Sequence, residues 1–296
     1  MKFYQKSRQV SNALADSGCS FGQGVDDADD EALWIMYAGL GLDITNEFES
    51  DVDHSARDLS GSELEAVDRL LDERITTRRP LAYILNETWF CGIRFYIDER
   101  TIIPRSFLSE WIPEQFAPWI NPGAVRSILD LCTGSGCVAV SCSLAFPDAR
   151  VLASDISTQA LEVATKNIEL YELGDRVSIN QGDGFQGIED KFDLIVCNPP
   201  YVSDRKMDKL PDEFRKEPAL AMRGGHSGLD FIIPMLRQSA KYLTDCGFIV
   251  VEAGSASHAL EQRYPDIPFT WLSTEHDEMV VFIMRADELK RFQHVL

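Results

Sequence analysis

From about residue 125 onward, short apolar runs rich in β-branched residues alternate with helical stretches, and this alternation limits the fold more than any other feature of the chain. Ser127–Cys132, Arg150–Asp155, Val177–Gln181, Phe192–Cys197 and Gly247–Glu252 read as strands, with helices such as Val138–Ala145 and Gln159–Tyr171 between them. Strands that each return through a helix pair in parallel, so the pattern predicts an α/β fold with a doubly wound, mainly parallel sheet. Two further strands, Phe269–Ser273 and Met279–Arg285, are separated only by Thr274–Glu278. That is too short for a crossover helix, so these two must pair antiparallel.

The chain divides near residue 88. Residues 1–88 read as a small helical domain: Asp30 precedes the apolar stretch Ala32–Leu42, and Ser60 or Ser62, each followed three residues later by Glu63 or Glu65, opens a capped helix. Leu64, Val67, Leu71 and Ile75 supply its apolar face. Between Trp89 and Ile103, aromatic and β-branched residues alternate around Gly92, which predicts a linking β-hairpin over 89–104; the α/β domain then occupies 105–296. A formal charge of −20 opposes non-specific attraction to nucleic-acid phosphates and favours a basic partner. Residues 1–88 hold 18 Asp and Glu against 8 Lys and Arg, half of that excess. The polar start has no apolar core of signal-peptide length, and nowhere do 18 apolar residues run together, which predicts a cytoplasmic protein without a membrane span. Seven scattered cysteines predict reduced thiols, and five dispersed histidines, His54, His226, His258, His276 and His294, predict no metal site.

Ligand chemistry gathers at the strand ends, where open α/β sheets bind. Asp130-Leu131-Cys132-Thr133-Gly134-Ser135-Gly136 follows the first strand and opens a helix, so backbone can approach a ligand closely at a helix N-terminus. Alone, this glycine turn does not separate a nicotinamide fold from other nucleoside binders. Asp155 ends the second strand, where a carboxylate can accept both hydroxyls of a ribose. Gly182-Asp183-Gly184-Phe185 ends the third, placing Asp183 to accept from an adenine amine and Phe185 to lie on its ring. Asn198-Pro199-Pro200-Tyr201 closes the fourth. Its prolines remove two N–H donors and hold the chain extended, leaving acceptors and an aromatic plane suited to a planar N–H group, an amide or an exocyclic amine.

Asp130–Gly136, Asp155, Asp183 and Asn198–Tyr201 together resemble the ordered motifs of the seven-stranded class I methyltransferases that use S-adenosylmethionine, with a Rossmann-like fold. Arg79-Pro80 through Tyr83, Phe90…Gly92…Phe95 and Ile103-Pro104-Arg105 are similar to the protein-(glutamine) methyltransferases, which join a small helical N-terminal domain to this fold. Cys132, Ser106, Glu213-Phe214-Arg215, Glu217–Ala221 and Gly228-Leu229-Asp230 resemble the members that modify large-subunit ribosomal protein three; a release factor, and more distantly adenine in nucleic acid, are the alternative substrates. The resemblance implies S-adenosylmethionine as cofactor, held by Asp130, Cys132, Thr133, Gly134, Ser135, Gly136, Asp155, Ile156, Asp183, Gly184, Phe185 and Asn198. It also implies an amide-binding turn at Asn198, Pro199, Pro200 and Tyr201. Glu217, Asp230 and Glu252 are candidates to take the released proton.

Overall fold

Residues 1–44, 54–275 and 279–296 are described by the structure, a computed structural model; His276 and most of the Thr274–Glu278 connection lie outside the described residues. Two units share the chain: Met1–Thr88 with Pro211–Lys216, and Trp89–Leu210 with Glu217–Leu296.

The smaller unit contains α1 (Phe3–Asp16), α2 (Ala28–Gly39) and α3 (Gly61–Thr77). Asp27, rather than Asp30, caps α2, its carboxylate accepting from the amides of Asp29 and Asp30. Asp30 already lies within the first turn, where negative charge suits the helix dipole. Ser60 opens α3 through a reciprocal bond with Glu63, a capping box that satisfies two otherwise orphaned donors. Val67 and Leu71 of the expected apolar face are buried, and Leu64 and Ile75 only partly. Arg74 on the same helix is 1% exposed and had no place in that face. Its guanidinium bonds Glu31 of α2 at 2.6 Å, the Ser20 carbonyl at 3.0 Å and the Glu213 carboxylate at 3.4 Å. Arg78 Nε lies 2.7 Å from the same Glu213 oxygen as an ion pair, and the Ser20 amide donates to it at 3.1 Å. Glu213-Phe214-Arg215 is thus held by buried charge. Burial pushes the Glu31 carboxyl above its ordinary range while Arg74 pulls it back.

Strands β1 (Glu87–Phe90) and β2 (Ile93–Tyr96) form the hairpin. Its two turn residues, Cys91 and Gly92, both have positive φ, +50° and +75°, as a two-residue turn matched to strand twist requires. The pairing stops at Tyr96, well short of Ile103. Beyond it, Asp98 accepts from the Tyr96 hydroxyl, from the Arg100 amide and from two guanidinium nitrogens of Arg100.

Seven strands make the main sheet, in the order β5-β4-β3-β6-β7-β9-β8: β3 Ser127–Leu131, β4 Arg150–Asp155, β5 Val177–Gln181, β6 Phe192–Cys197, β7 Leu243–Glu252, β8 Thr270–Leu272 and β9 Val281–Arg285. Strands β3 to β7 are parallel; β9 runs antiparallel to β8, as the short final connection demanded, and also antiparallel to β7. Side chains alternate between two cores: Ile128, Leu194, Val196 and Val250 enter one, and Leu129, Leu131, Ile195 and Val251 the other. Burial on both faces is why these strands read as continuous apolar runs. Helices α4 (Cys137–Ala145), α5 (Thr158–Leu170) and α6 (Ile232–Tyr242) lead from β3, from β4 and into β7. From β3 the chain winds outward through β4 to β5, then returns to the other side of β3 with β6. The winding reverses there, and a crevice opens past the carboxyl ends of β3 and β6. Leu131 lies opposite Cys197 in that pairing, so Cys132 and Asn198 leave the sheet side by side.

Candidate active site

At this crevice the larger unit holds a cleft lined by residues from every strand end between β5 and β6. Cys132, Gly134, Asp155, Ile156, Asp183, Gly184, Asn198 and Pro200 line it. Four short segments thus converge, and the parallel register explains why: each turn follows the last residue of a neighbouring strand.

Asp155 organises the cofactor side. One carboxylate oxygen accepts the Gly134 amide and the other the Ser157 amide, each at 2.9 Å. Every carboxylate oxygen has a second lone pair, so both can still face a diol. Burial pushes the Asp155 carboxyl up, against those backbone amides. A Cβ at Gly134 (φ +55°) would meet nothing nearer than 4.0 Å, and one at Gly184 would meet nothing at all, so the two turns leave a cradle open to a ligand. The neighbouring glycine does different work: a Cβ on Gly136 would stand 3.0 Å from Ala164, so its bareness lets α5 approach the turn. Cys132 has φ +59°, a left-handed conformation in which a β-carbon is strained.

Several residues expected at the ligand lie behind the cleft instead. Asp130 is 1% exposed, takes a hydrogen bond from the Thr133 hydroxyl and is pushed by burial to a pKa of about 7. Thr133, Ser135 and Gly136 are also buried, the first donating its amide to the Ser154 carbonyl and the second accepting at its carbonyl from the Asn167 side-chain amide. These four shape the turn from below. Phe185 does not reach toward a ring in the cleft; it stacks on Tyr242 of α6 at 4.2 Å and 1° between planes, inside the core. An apolar partner there wins because the ring is then removed from water on both faces. Pro199 is buried, and Tyr201 turns away from the cleft to donate its phenol to Glu252 at 2.7 Å.

Asn198 is half-buried and lines the cleft, and among the described residues none holds its carboxamide by a hydrogen bond. The chain after it is fixed: Val202 donates to Met222 and accepts from Gly224, each at 2.8 Å, closing the base of the 203–222 loop. A Cβ on Gly228 would stand 2.3 Å from the Tyr201 carbonyl oxygen, and one on Gly254 would stand 2.5 Å from the Tyr201 ring. None of the three proton-acceptor candidates lines the cleft. Glu252 is fully buried with both oxygens accepting hydrogen bonds, Glu217 is buried against the Ile103 amide and Arg105, and Asp230 is exposed.

Other walls come from segments that the strand-end motifs did not include: Arg100–Ile102 after the hairpin, Pro218, Leu220 and Ala221 of the Glu217–Ala221 stretch, and Phe231. The resemblance draws attention to Glu217–Ala221 without assigning it a role, whereas Arg100–Ile102 and Phe231 lie next to the motifs that carry the resemblance and not within them. Arg105 links them by bonding Glu217 at 2.8 Å. Among the described residues no group of His, Cys, Asp and Glu is placed to hold a metal ion, and no helix is long and apolar enough to cross a membrane. All seven cysteines are free.

A sheet wound in both directions from β3 and finished by an antiparallel β9, with its cleft at the reversal, makes the chain a class I methyltransferase, and residues 114–226 match the methyltransferase small domain family. Over most of its length it is similar to curated ribosomal protein uL3 glutamine methyltransferases. It is 41% identical to that of Francisella tularensis over 92% of this chain and 86% of the relative, and 40% identical to that of Bordetella pertussis over 95% and 94%. The chain belongs to the ribosomal protein uL3 glutamine methyltransferase family.

Asp155→Ala is expected to weaken S-adenosylmethionine binding by about ten- to a hundredfold, the worth of hydrogen bonds to a charged acceptor, about 1.5–3 kcal/mol. Calorimetry checks this directly; unchanged affinity would remove Asp155 from the cofactor site.

Proposed function

We propose that this chain methylates the side-chain amide nitrogen of a glutamine in ribosomal protein uL3, with S-adenosylmethionine as methyl donor, in the cytoplasm. The observation that carries the chemistry is Asn198: an uncommitted carboxamide in the cleft wall, beside Cys132 of the glycine turn. The target protein is inferred from the family, whose named members act on uL3.

An amide nitrogen is a poor nucleophile because resonance spreads its lone pair over the carbonyl. Positioning must therefore supply most of the rate. Gly134, Asp155, Ile156, Asp183 and Gly184 hold the cofactor, which when bound supplies an electrophilic methyl group on a sulfonium. The Asn198 side-chain oxygen and the Pro199 main-chain carbonyl, carried between the lining residues Asn198 and Pro200 although the Pro199 ring itself is buried, accept the two hydrogens of the substrate amide. That grip turns the nitrogen lone pair toward the methyl and stabilises positive charge as it develops on nitrogen. The proton leaves after transfer, when the nitrogen is far more acidic, and passes to water.

The helical unit recruits the substrate. Ribosomal proteins are basic because they neutralise RNA, and residues 1–88 carry 18 acidic against 8 basic side chains. Capture should therefore slow as salt is raised, most steeply up to about 0.15 M, where the screening length falls to about 8 Å. The enzyme is to be offered uL3 and a release factor at equal concentration across a salt series, with the methylated residue located by mass spectrometry. Preferential labelling of a uL3 glutamine is expected. Preference for the release factor would reverse the substrate, labelling of adenine in DNA would overturn the acceptor class, and salt-independent capture would sink the role of the acidic unit.

A further inference from the structure

Glu252 ends β7, and its place follows from the sheet. Cys197 of β6 lies opposite Val251 of β7, so one residue further along the two strands Asn198 lies opposite Glu252. A carboxylate with no solvent exposure at the strand end next to a catalytic turn is costly, and three donors offset that cost. Ser106 Oγ at 2.5 Å and the Phe107 amide at 2.9 Å donate to Oε2, and the Tyr201 phenol donates to Oε1 at 2.7 Å. The carboxylate is therefore a clamp with two jaws. One grips the chain that follows Ile103-Pro104-Arg105; the other grips the last residue of Asn198-Pro199-Pro200-Tyr201.

We propose that Glu252 is a positioning residue for methyl transfer: by holding the Tyr201 phenol it fixes the far end of the Asn198–Tyr201 turn, and so the direction in which Asn198 presents its acceptor to the cleft. Three facts favour this over a share in general stability. Tyr201 does not line the cleft, so its phenol serves the turn rather than a ligand. The ring is seated against Gly254, where a Cβ would stand 2.5 Å from it, so the bare glycine is what admits the ring beside Glu252. The Asn198 carboxamide has no hydrogen bond among the described residues, so its aim depends on the backbone that carries it. A displacement of about 1 Å at a positioned group can cost about a hundredfold in rate.

The inference rests on the proposed amide methylation, and its test keeps the two separate. Glu252→Ala, Glu252→Gln, Tyr201→Phe and the double variant Glu252→Ala/Tyr201→Phe are compared with the parent for kcat on saturating uL3 and for S-adenosylmethionine affinity. Gln can keep both jaws closed, its oxygen facing Ser106 and the Phe107 amide and its NH2 donating to the Tyr201 oxygen. The expected result is a kcat about tenfold lower for Glu252→Ala and for Tyr201→Phe, with the double variant within about twofold of the poorer single, because both remove the same hook. Cofactor affinity should stay within about twofold and Glu252→Gln within about threefold of the parent kcat, since position and not charge is what the clamp supplies. Full additivity in the double variant, a normal kcat for Tyr201→Phe, or a Glu252→Gln as slow as Glu252→Ala would each overturn the proposal. Should Glu252→Ala fail to fold, Tyr201→Phe and Glu252→Gln decide it. A parent enzyme that leaves uL3 unlabelled would instead refute the proposed function.

Discussion

Asn198→Ala should lower turnover on saturating protein substrate by about a hundred- to a thousandfold, the loss typical when one preorganised partner of a transition-state charge is removed. The effect should fall on kcat and kcat/KM alike, because the carboxamide is matched to an amide whose nitrogen is becoming positive and contributes little to holding the rest of the protein substrate. The fold should barely notice. The Asn198 carboxamide makes no hydrogen bond among the described residues, and the residue belongs to neither buried core, so unfolding free energy should remain within about 1 kcal/mol of the parent. Single-turnover methylation and urea unfolding measured on the same preparation separate the two effects. A variant that turned over normally would show that another group accepts the amide hydrogens.

What the sequence disclosed and what it hid follow from the range of each force. Arg150–Asp155, Val177–Gln181 and Phe192–Cys197 are strands with those same limits: Phe192–Cys197 because a strand covered on both faces is apolar nearly throughout, and the edge strand Val177–Gln181, largely exposed, because β-branched residues alternate up to the Gly182 turn. Asp155 and Asn198 could be placed from their position alone, since the residue at or just past a parallel strand end faces the crevice whatever the side chain. Phe185 and Tyr201 sit on the same turns, yet both turn inward. Phe185 finds Tyr242, and Tyr201 finds Glu252; these partners lie far along the chain and come close only once α6 and β7 have packed. Direction of a side chain in a turn is a tertiary property. The walls at Arg100–Ile102 and Leu220 were hidden for a related reason: neither stretch is a strand end, and each reaches the cleft through a loop held by Glu217 and Arg105. Arg74 shows a further limit, because a charged residue on a helix reads as solvated until its two carboxylate partners are known to be buried as well.

Arg74→Met is expected to destabilise the helical unit by about 3–5 kcal/mol, the penalty for leaving a buried charge without its partner. Both carboxylates that Arg74 serves are almost wholly enclosed: the Glu31 side chain is 3% exposed and that of Glu213 0%. Methionine fills much of the same volume, so the loss is electrostatic rather than a cavity. Arg78 still pairs with Glu213 at 2.7 Å, which places the greater share of the damage on Glu31. With two units in one chain, a single melting temperature would blur the effect, so the measurement is native-state hydrogen exchange on the amides of α2 and α3. Exchange there should quicken by at least about a hundredfold, while amides of β3 and β6 keep their parent rates. Adding Glu31→Leu to Arg74→Met should restore most of the protection, because an apolar pair of similar volume can replace a buried ion pair without loss. If Arg74→Met left the exchange of α2 and α3 unchanged, the buried cluster would not be what holds these helices together, and the retention of Glu213 within their unit would need another cause.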